Sequence, residues 1–198
     1  MRPQVSAVLL AAGSSSRMGR IKQLLPLGDG PVIKYCISSI AASGIEDIVI
    51  VLAPGNKELF NAIRGFPLRV AFNKDQGGEM ADSVRTGLCQ IGPSATGVVI
   101  CLSDHPMVSE ETFRDLVALH GKRPDKILIP VYQGKKGHPA LFPAPVAKEM
   151  FSDLNLRQLI DRLPGRVNFL DVPDEGVILD MDTMDDYRII LEKIRAKE

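Results

Sequence analysis

The chain has 198 residues, 45% hydrophobic and 24% charged, the balance of a globular protein with a sizeable core; at about 150 residues per domain it predicts a single domain. Lys plus Arg and Asp plus Glu each total 24, so no net charge points to nucleic acid or a membrane surface, and no apolar run nears the ~20 residues of a membrane helix. Residues 1–4 enter an apolar strand without a signal-peptide pattern. Three cysteines, Cys36, Cys89 and Cys101, lie in apolar patterns without metal-ligand spacing, which predicts reduced core thiols in a cytoplasmic protein.

The first predicted strand covers residues 6–10 and runs into a loop of small residues, 11–22, that carries Arg17 and Lys22. Small residues let backbone N–H groups approach a ligand, and two cations suit the oxygens of a polyphosphate. Ile33, Ile37 and Ile40 predict a helix over 31–42, ended by Gly44. A strand over 47–52 follows, then a helix bearing Leu59, Phe60 and Ile63, and a strand over 68–72.

Residues 73–83 hold the paired Gly77 and Gly78 and open a third helix with apolar positions Val84, Leu88 and Ile91, a second place for backbone donors to meet a ligand. The strand over 98–102 ends in Ser103-Asp104-His105-Pro106. An acidic residue just past the carboxyl end of a buried strand lies where open parallel sheets bind ligands. Ser109, rather than Asp104, makes the better start for the fourth helix, whose stripe of Phe113, Leu116 and Val117 takes in His120 as a packing or surface residue.

Beyond it the sequence predicts a strand over 127–131, a mobile basic loop over 132–139, a short strand over 140–142 and helical pieces over 146–151 and 156–163. A strand over 167–172 and a turn over 173–176 precede an apolar strand, Val177-Ile178-Leu179, ending at Asp180 and Asp182. Thr183, with Asp186 three residues on, predicts a capped last helix with a stripe of Tyr187, Leu191 and Ile194.

Alternating strands and helices imply a three-layer, Rossmann-like α/β domain with a mainly parallel sheet. Its strand ends should gather the Gly13–Lys22 loop, the Gly77-Gly78 helix start and two distant acidic groups, Asp104 and the Asp180/Asp182 pair. Two such carboxylates can hold one Mg²⁺ with phosphate and water completing its shell, an arrangement for phosphoryl or nucleotidyl transfer. Neither a Walker phosphate loop nor a G-x-G-x-x-G fingerprint is present, which weighs against a P-loop kinase and a nicotinamide dehydrogenase. No Cys–His or Ser–His arrangement suggests a covalent nucleophile, and His105 and His138 sit in loops where they could contact ligand.

Leu10-Ala11-Ala12-Gly13-Ser14-Ser15-Ser16-Arg17-Met18-Gly19, with Lys22 and Leu24-Leu25-Pro26-Leu27 behind it, resembles the signature of MobA-like nucleotidyltransferases. The likeness continues through residues 73–88, Asp104-His105-Pro106, Gly137-His138-Pro139-Ala140-Leu141-Phe142 and Asp180-Met181-Asp182-Thr183. It implies a fold of the nucleotide-diphospho-sugar transferase type and attack of a phosphate monoester on the α-phosphorus of an NTP. Arg17 and Lys22 would be the catalytic charges, and Leu10, Ala11, Ala12, Gly13, Asn73, Gly78, Ser83 and Asp104 would join them around the nucleotide. Asp104 and Asp182 would bind Mg²⁺, with Asp180 as the alternative to Asp182, and His105, His138 and Arg157 would face the acceptor.

Ala12, where the guanylyltransferase form carries Gly, resembles the MocA-like branch, the molybdenum cofactor cytidylyltransferases. That likeness implies CTP and molybdopterin as substrates and a molybdoenzyme as receiver of the product. Ser152-Asp153-Leu154-Asn155-Leu156-Arg157 departs from the family's G-D-x-G-x-R, which leaves a different phosphorylated acceptor open. The alternatives are a guanylyltransferase, a methylerythritol phosphate cytidylyltransferase, a sugar-phosphate nucleotidyltransferase, or a non-catalytic module that delivers cofactor.

Overall fold

The structure, a computed structural model, describes residues 4–13, 19–74, 79–152 and 154–196. Arg17 and Gly78 lie outside the described residues.

β1 (Val5–Ala11) is buried at every position, because both of its faces are covered. Val5, Ala7, Leu9 and Ala11 enter one core cluster, and Val8 and Leu10 enter the other. A short 3-10 turn, Lys22–Leu24, leads to a small ribbon of β2 (Pro26–Leu27) and β3 (Gly30–Pro31), and then to α1 (Val32–Ala42). Next come β4 (Asp47–Leu52), α2 (Lys57–Ala62), β5 (Arg69–Phe72), α3 (Met80–Leu88), β6 (Gly97–Leu102) and α4 (Glu110–Lys122). β7 (Ile127–Tyr132), β8 (Lys135–Lys136) and β9 (Ala140–Pro143) follow, with α5 (Ala144–Ala147), α6 (Leu156–Arg162), β10 (Val167–Asp171) and α7 (Met184–Arg195).

Among the described residues, eight strands form one sheet in the order β10-β7-β9-β6-β1-β4-β5, with β8 on the side of β7. β1 pairs parallel with β4 and β6, β4 with β5 and β7 with β10. β9 runs antiparallel between β6 and β7. The fold is therefore mixed α/β with a mainly parallel sheet. The first core cluster joins the sheet to α1 and α4 through Ile33, Ile37, Ile40, Phe113 and Leu116. The second joins the opposite face to α3, α5 and α6 through Val84, Leu88, Val146 and Leu159. α3 lies so close to β1 that a Cβ at Gly87 would fall 2.3 Å from Val8 Cγ1. α7 covers the small ribbon through Leu25, Leu27, Met181, Ile190 and Ile194.

Several local expectations change. Residues 177–179 do not form a strand: Asp174 accepts a hydrogen bond from Gly176 N and starts a 3-10 turn, Glu175–Ile178. The basic loop over 132–139 is an ordered hairpin, turned through Gln133 (φ 48°) and Gly134 (φ 79°), with β8 paired to β7 and a cis His138–Pro139 bond. α3 stops before Ile91, and Cys89, at its end, is exposed, whereas Cys36 and Cys101 are buried as expected. Phe60 points outward and meets the exposed Phe72 ring at 6.2 Å. Thr183 and Asp186 form the predicted capping box, and Ser109 caps α4 through Thr112 N. Among the described residues no helix is long and apolar enough to cross a membrane.

Candidate active site

The carboxyl ends of β1 and β6 lie side by side, with Leu10 opposite Leu102. Just beyond them, Ser103 N donates to Leu10 O at 3.1 Å, which fixes where the chain leaves β6 and hence where Asp104 stands. The 3-10 turn Lys22–Leu24 is seated over the same edge by Gln23, whose buried side chain donates Nε2 to Ser103 Oγ at 3.1 Å. From the far end of the chain, Met181 N donates to Asp104 O at 2.9 Å and delivers Asp182. The Asp186 carboxylate then accepts from Asp182 N at 3.2 Å and Thr183 N at 2.7 Å, so the backbone at Asp182 is held from both sides.

These three segments meet at Lys22. Its Nζ donates to Asp104 Oδ2 at 2.8 Å and to Asp182 Oδ1 at 3.1 Å. Burial on its own would lower the Lys22 pKa, but hydrogen bonds and charge from Asp104, and then from Asp182, outweigh it and hold the ammonium above the ordinary lysine value. An ammonium fixed between two carboxylates keeps like charges close together and stays cationic at every physiological pH.

A divalent cation fits this donor set. Asp104 Oδ1 is buried and makes no hydrogen bond among the described residues, while Oδ2 takes Lys22. Both carboxylates offer hard oxygens, which suit Mg²⁺ or Mn²⁺. Among the described residues no three His, Cys, Asp or Glu side chains converge on one point. Substrate phosphates and water would complete the shell, the usual arrangement for Mg²⁺ held by one or two carboxylates. Asp180 is exposed, and its charge acts on His138.

The residues expected around the nucleotide occupy the adjoining edge. Ala11 is buried, Ala12 half-buried and Gly13 exposed, so β1 emerges into solvent over these three positions. Asn73 follows β5 and is buried; its Nδ2 donates to Ser83 Oγ at 2.8 Å, while its Oδ1 has no hydrogen-bond partner among the described residues. That oxygen is an acceptor available to a base or ribose donor.

The residues expected to face the acceptor separate. His138 and Arg157 line a cleft of ≈690 Å³ together with Glu79, Lys136, Asn155 and Asp161, over an apolar floor of Ile129, Leu156 and Ile160. His105 is buried beside Asp104, with Nε2 3.9 Å from Asp104 Oδ1, and its ring packs on His138 at 5.2 Å. The two rings line a small inner cavity with Cys36 and Cys101. Burial, and then the neighbouring His105, pushes the His138 pKa down to about 4 against the pull of Asp104 and Asp180. Burial also pushes the Cys36 thiol up to about 12, which leaves it an inert packing group.

Sequence reasoning missed Glu79, Lys136 and Asp161 as cleft residues, since each reads as a solvated surface charge. The only sequence signal was the adjacency of Glu79 to the paired glycines and of Lys136 to Gly137 and His138.

Comparison with known proteins gives the family. The family model of the MobA-like NTP transferase domain matches residues 7–167. A nicotine blue oxidoreductase of Paenarthrobacter nicotinovorans is 28% identical over 201 residues, 95% of this chain and 97% of that one. The molybdenum cofactor cytidylyltransferase of Escherichia coli is 25% identical over 197 residues, 98% of this chain and 96% of the relative. Among solved structures, Rv0371c of Mycobacterium tuberculosis superposes with a TM-score of 0.84 at 31% identity, covering 97% of this chain and 100% of the other. The same mycobacterial protein has also been solved in complex with manganese. The matched region runs from β1 into β10: the chain is a nucleotidyltransferase and belongs to the family of the MobA-like NTP transferase domain.

Proposed function

We propose that the protein transfers CMP from CTP to the phosphate of molybdopterin, forming molybdopterin cytosine dinucleotide and releasing pyrophosphate. The observation that carries this reading is Lys22, held at 2.8 Å from Asp104 and 3.1 Å from Asp182 at the ends of the central strands. Ala12 in the first loop and the full-length likeness to the Escherichia coli cytidylyltransferase support CTP as the donor.

In this reaction an acceptor phosphate oxygen forms a bond to the α-phosphorus. The bond from that phosphorus to the bridging oxygen breaks, and pyrophosphate leaves with the electron pair. Charge grows on the leaving group, so fixed cations aimed at it lower the barrier. Lys22 takes that role with Arg17, while the backbone over Leu10, Ala11, Ala12 and Gly13 supports the phosphates. Asn73, Gly78 and Ser83 face the base and ribose. Asp104 and Asp182 hold Mg²⁺, which when bound neutralises phosphate charge and polarises the α-phosphoryl group. In the cleft, Lys136 and Arg157 suit the acceptor phosphate, and Glu79 and Asp161 suit N–H groups of a heterocycle. His138 forms part of that wall. We read the whole chain as one cytoplasmic domain working on small molecules, with a molybdoenzyme receiving the product and neither nucleic acid nor membrane as a partner.

Pyrophosphate release measured across the four NTPs with Mg²⁺ and molybdopterin tests this directly. CTP should give the highest rate, and omission of either Mg²⁺ or acceptor should abolish release. Equal rates with GTP would remove the cytidylyl assignment. The stretch 152–157 lacks the family's glycines, and Asn155, Leu156 and Arg157 in it line the cleft, which favours one second reading: a CMP transfer to another phosphorylated acceptor. A rate with methylerythritol phosphate above that with molybdopterin would establish it.

A further inference from the structure

Residues 173–182 cross the site as a strap between β10 and α7, and Asp174 at its start does more than begin a turn. Its Oδ2 accepts from Ser109 N at 2.8 Å and from Thr112 Oγ1 at 2.6 Å, and its Oδ1 accepts from Gly176 N at 2.9 Å. Thr112 is buried, so its hydroxyl has little recourse to water. Farther along, His138 N donates to Val177 O at 2.8 Å, and Met181 N donates to Asp104 O at 2.9 Å. On its inner side the strap touches the chain between Asp104 and α4: a Cβ at Gly176 would fall 2.2 Å from Met107 O.

The connections close a ring. The chain runs from Asp104 to Ser109, crosses to Asp174, follows the strap to Met181 and returns to Asp104. One arm of the ring starts at Asp104 and the other leads into Asp182. Contact at Gly176 stops the strap from moving inward, and the bonds of Asp174 stop it from lifting away.

We propose that Asp174 is a positioning residue, which ties the strap to the start of α4 and thereby sets the distance between the Asp104 and Asp182 carboxylates and their affinity for a divalent cation. The inference rests on the reading of Asp104 and Asp182 as the metal-binding pair. A partner that orients a metal ligand typically contributes 10–100-fold in affinity, by comparison with known metal sites.

The test is a Mn²⁺ titration of the CTP-loaded protein, with the signal of the free ion read by electron paramagnetic resonance and folding checked by circular dichroism. Asp174→Ala should weaken Mn²⁺ binding about tenfold or more. Asp174→Asn keeps one side-chain oxygen for Ser109 N and Thr112 Oγ1, so it should fall between wild type and Asp174→Ala; it carries the comparison if the alanine variant does not fold. In an Asp182→Asn background, Asp174→Ala should cause no further loss, because one acts through the other. A folded Asp174 variant that binds Mn²⁺ within about twofold of wild type, while Asp182→Asn loses it, overturns the positioning role alone. Unchanged affinity in Asp182→Asn overturns the metal-pair reading itself.

Discussion

On the β1 side of the site, a strand buried at all 7 positions ends beside Ser103, and Lys22 and Gln23 bond to the same edge of the sheet. On the β9 side, an antiparallel strand, a two-residue hairpin arm and short helical pieces frame an open cleft of ≈690 Å³ lined with charges of both signs. On the proposed reading, chemistry common to every NTP needs one arrangement of charge, and the first region offers it through half-buried, mutually bonded groups. An acceptor differs from enzyme to enzyme, and the second region carries its charges on exposed side chains of short elements, which can be replaced without disturbing the core.

Four perturbations bear on that contrast. The largest effect is expected at the fixed charges: Lys22→Ala or Asp104→Ala should cut CTP-dependent pyrophosphate release at least ~100-fold, as for the loss of a transition-state charge stabiliser. Near-normal turnover in either variant would deny the β1 side its special role. Arg157→Ala should act on one substrate only. Losing a charge-assisted hydrogen bond worth ~1.5–3 kcal/mol should raise the acceptor KM about tenfold or more, with the CTP KM unchanged. A parallel rise in both constants would mean that the two regions are not separate.

Packing differs in the same sense. Gly87→Ala forces a methyl group against Val8 and should destabilise the protein by about 1–3 kcal/mol in urea unfolding. Gly165→Ala, near α6, meets nothing within 4 Å and should leave the urea midpoint close to wild type. The smallest effect concerns pH. Burial holds His120 below its ordinary pKa, against the hydrogen bond with Thr96, so the unfolded chain takes up the proton first. Stability from His120 is therefore complete above about pH 6.5 and falls as the pH drops towards the depressed value, with a slope of at most ~1.4 kcal/mol per pH unit. Unfolding at pH 7 and pH 5 should show His120→Gln losing less on acidification than wild type.

Much of the parallel half of the fold was legible because a strand buried on both faces leaves an uninterrupted apolar run, as in β1, β4 and β6. Capping at Ser109 and Thr183 was legible for a similar reason, since the partners lie three residues away. The hairpin over 132–139 was not, because Tyr132, Lys135 and Lys136 carry no alternation of polarity and owe their order to pairing with β7. Residues 177–179 misled more sharply. Of this run only Val177 is buried, against Gly137 and His138 rather than by strand pairing, and no local pattern encodes a contact so distant. Within the candidate site, residue types announced Asp104, Asp182 and Lys22 as charges near strand ends. That a single ammonium would join both carboxylates depends on Met181 N meeting Asp104 O, a bond between backbone atoms that side-chain chemistry does not reveal.

Lys22 reaches partners 82 and 160 residues away along the chain. Bringing such remote segments together carries a loop-closure entropy that only a largely assembled sheet can offset. Secondary structure and even the β1–β4–β6 core can form before α7 docks, but the pair of carboxylates around Lys22 cannot. Completion of the charge cluster is therefore a late event in folding, and a molecule that has not yet seated its last helix presents a nearly complete sheet on which Lys22 lacks Asp182.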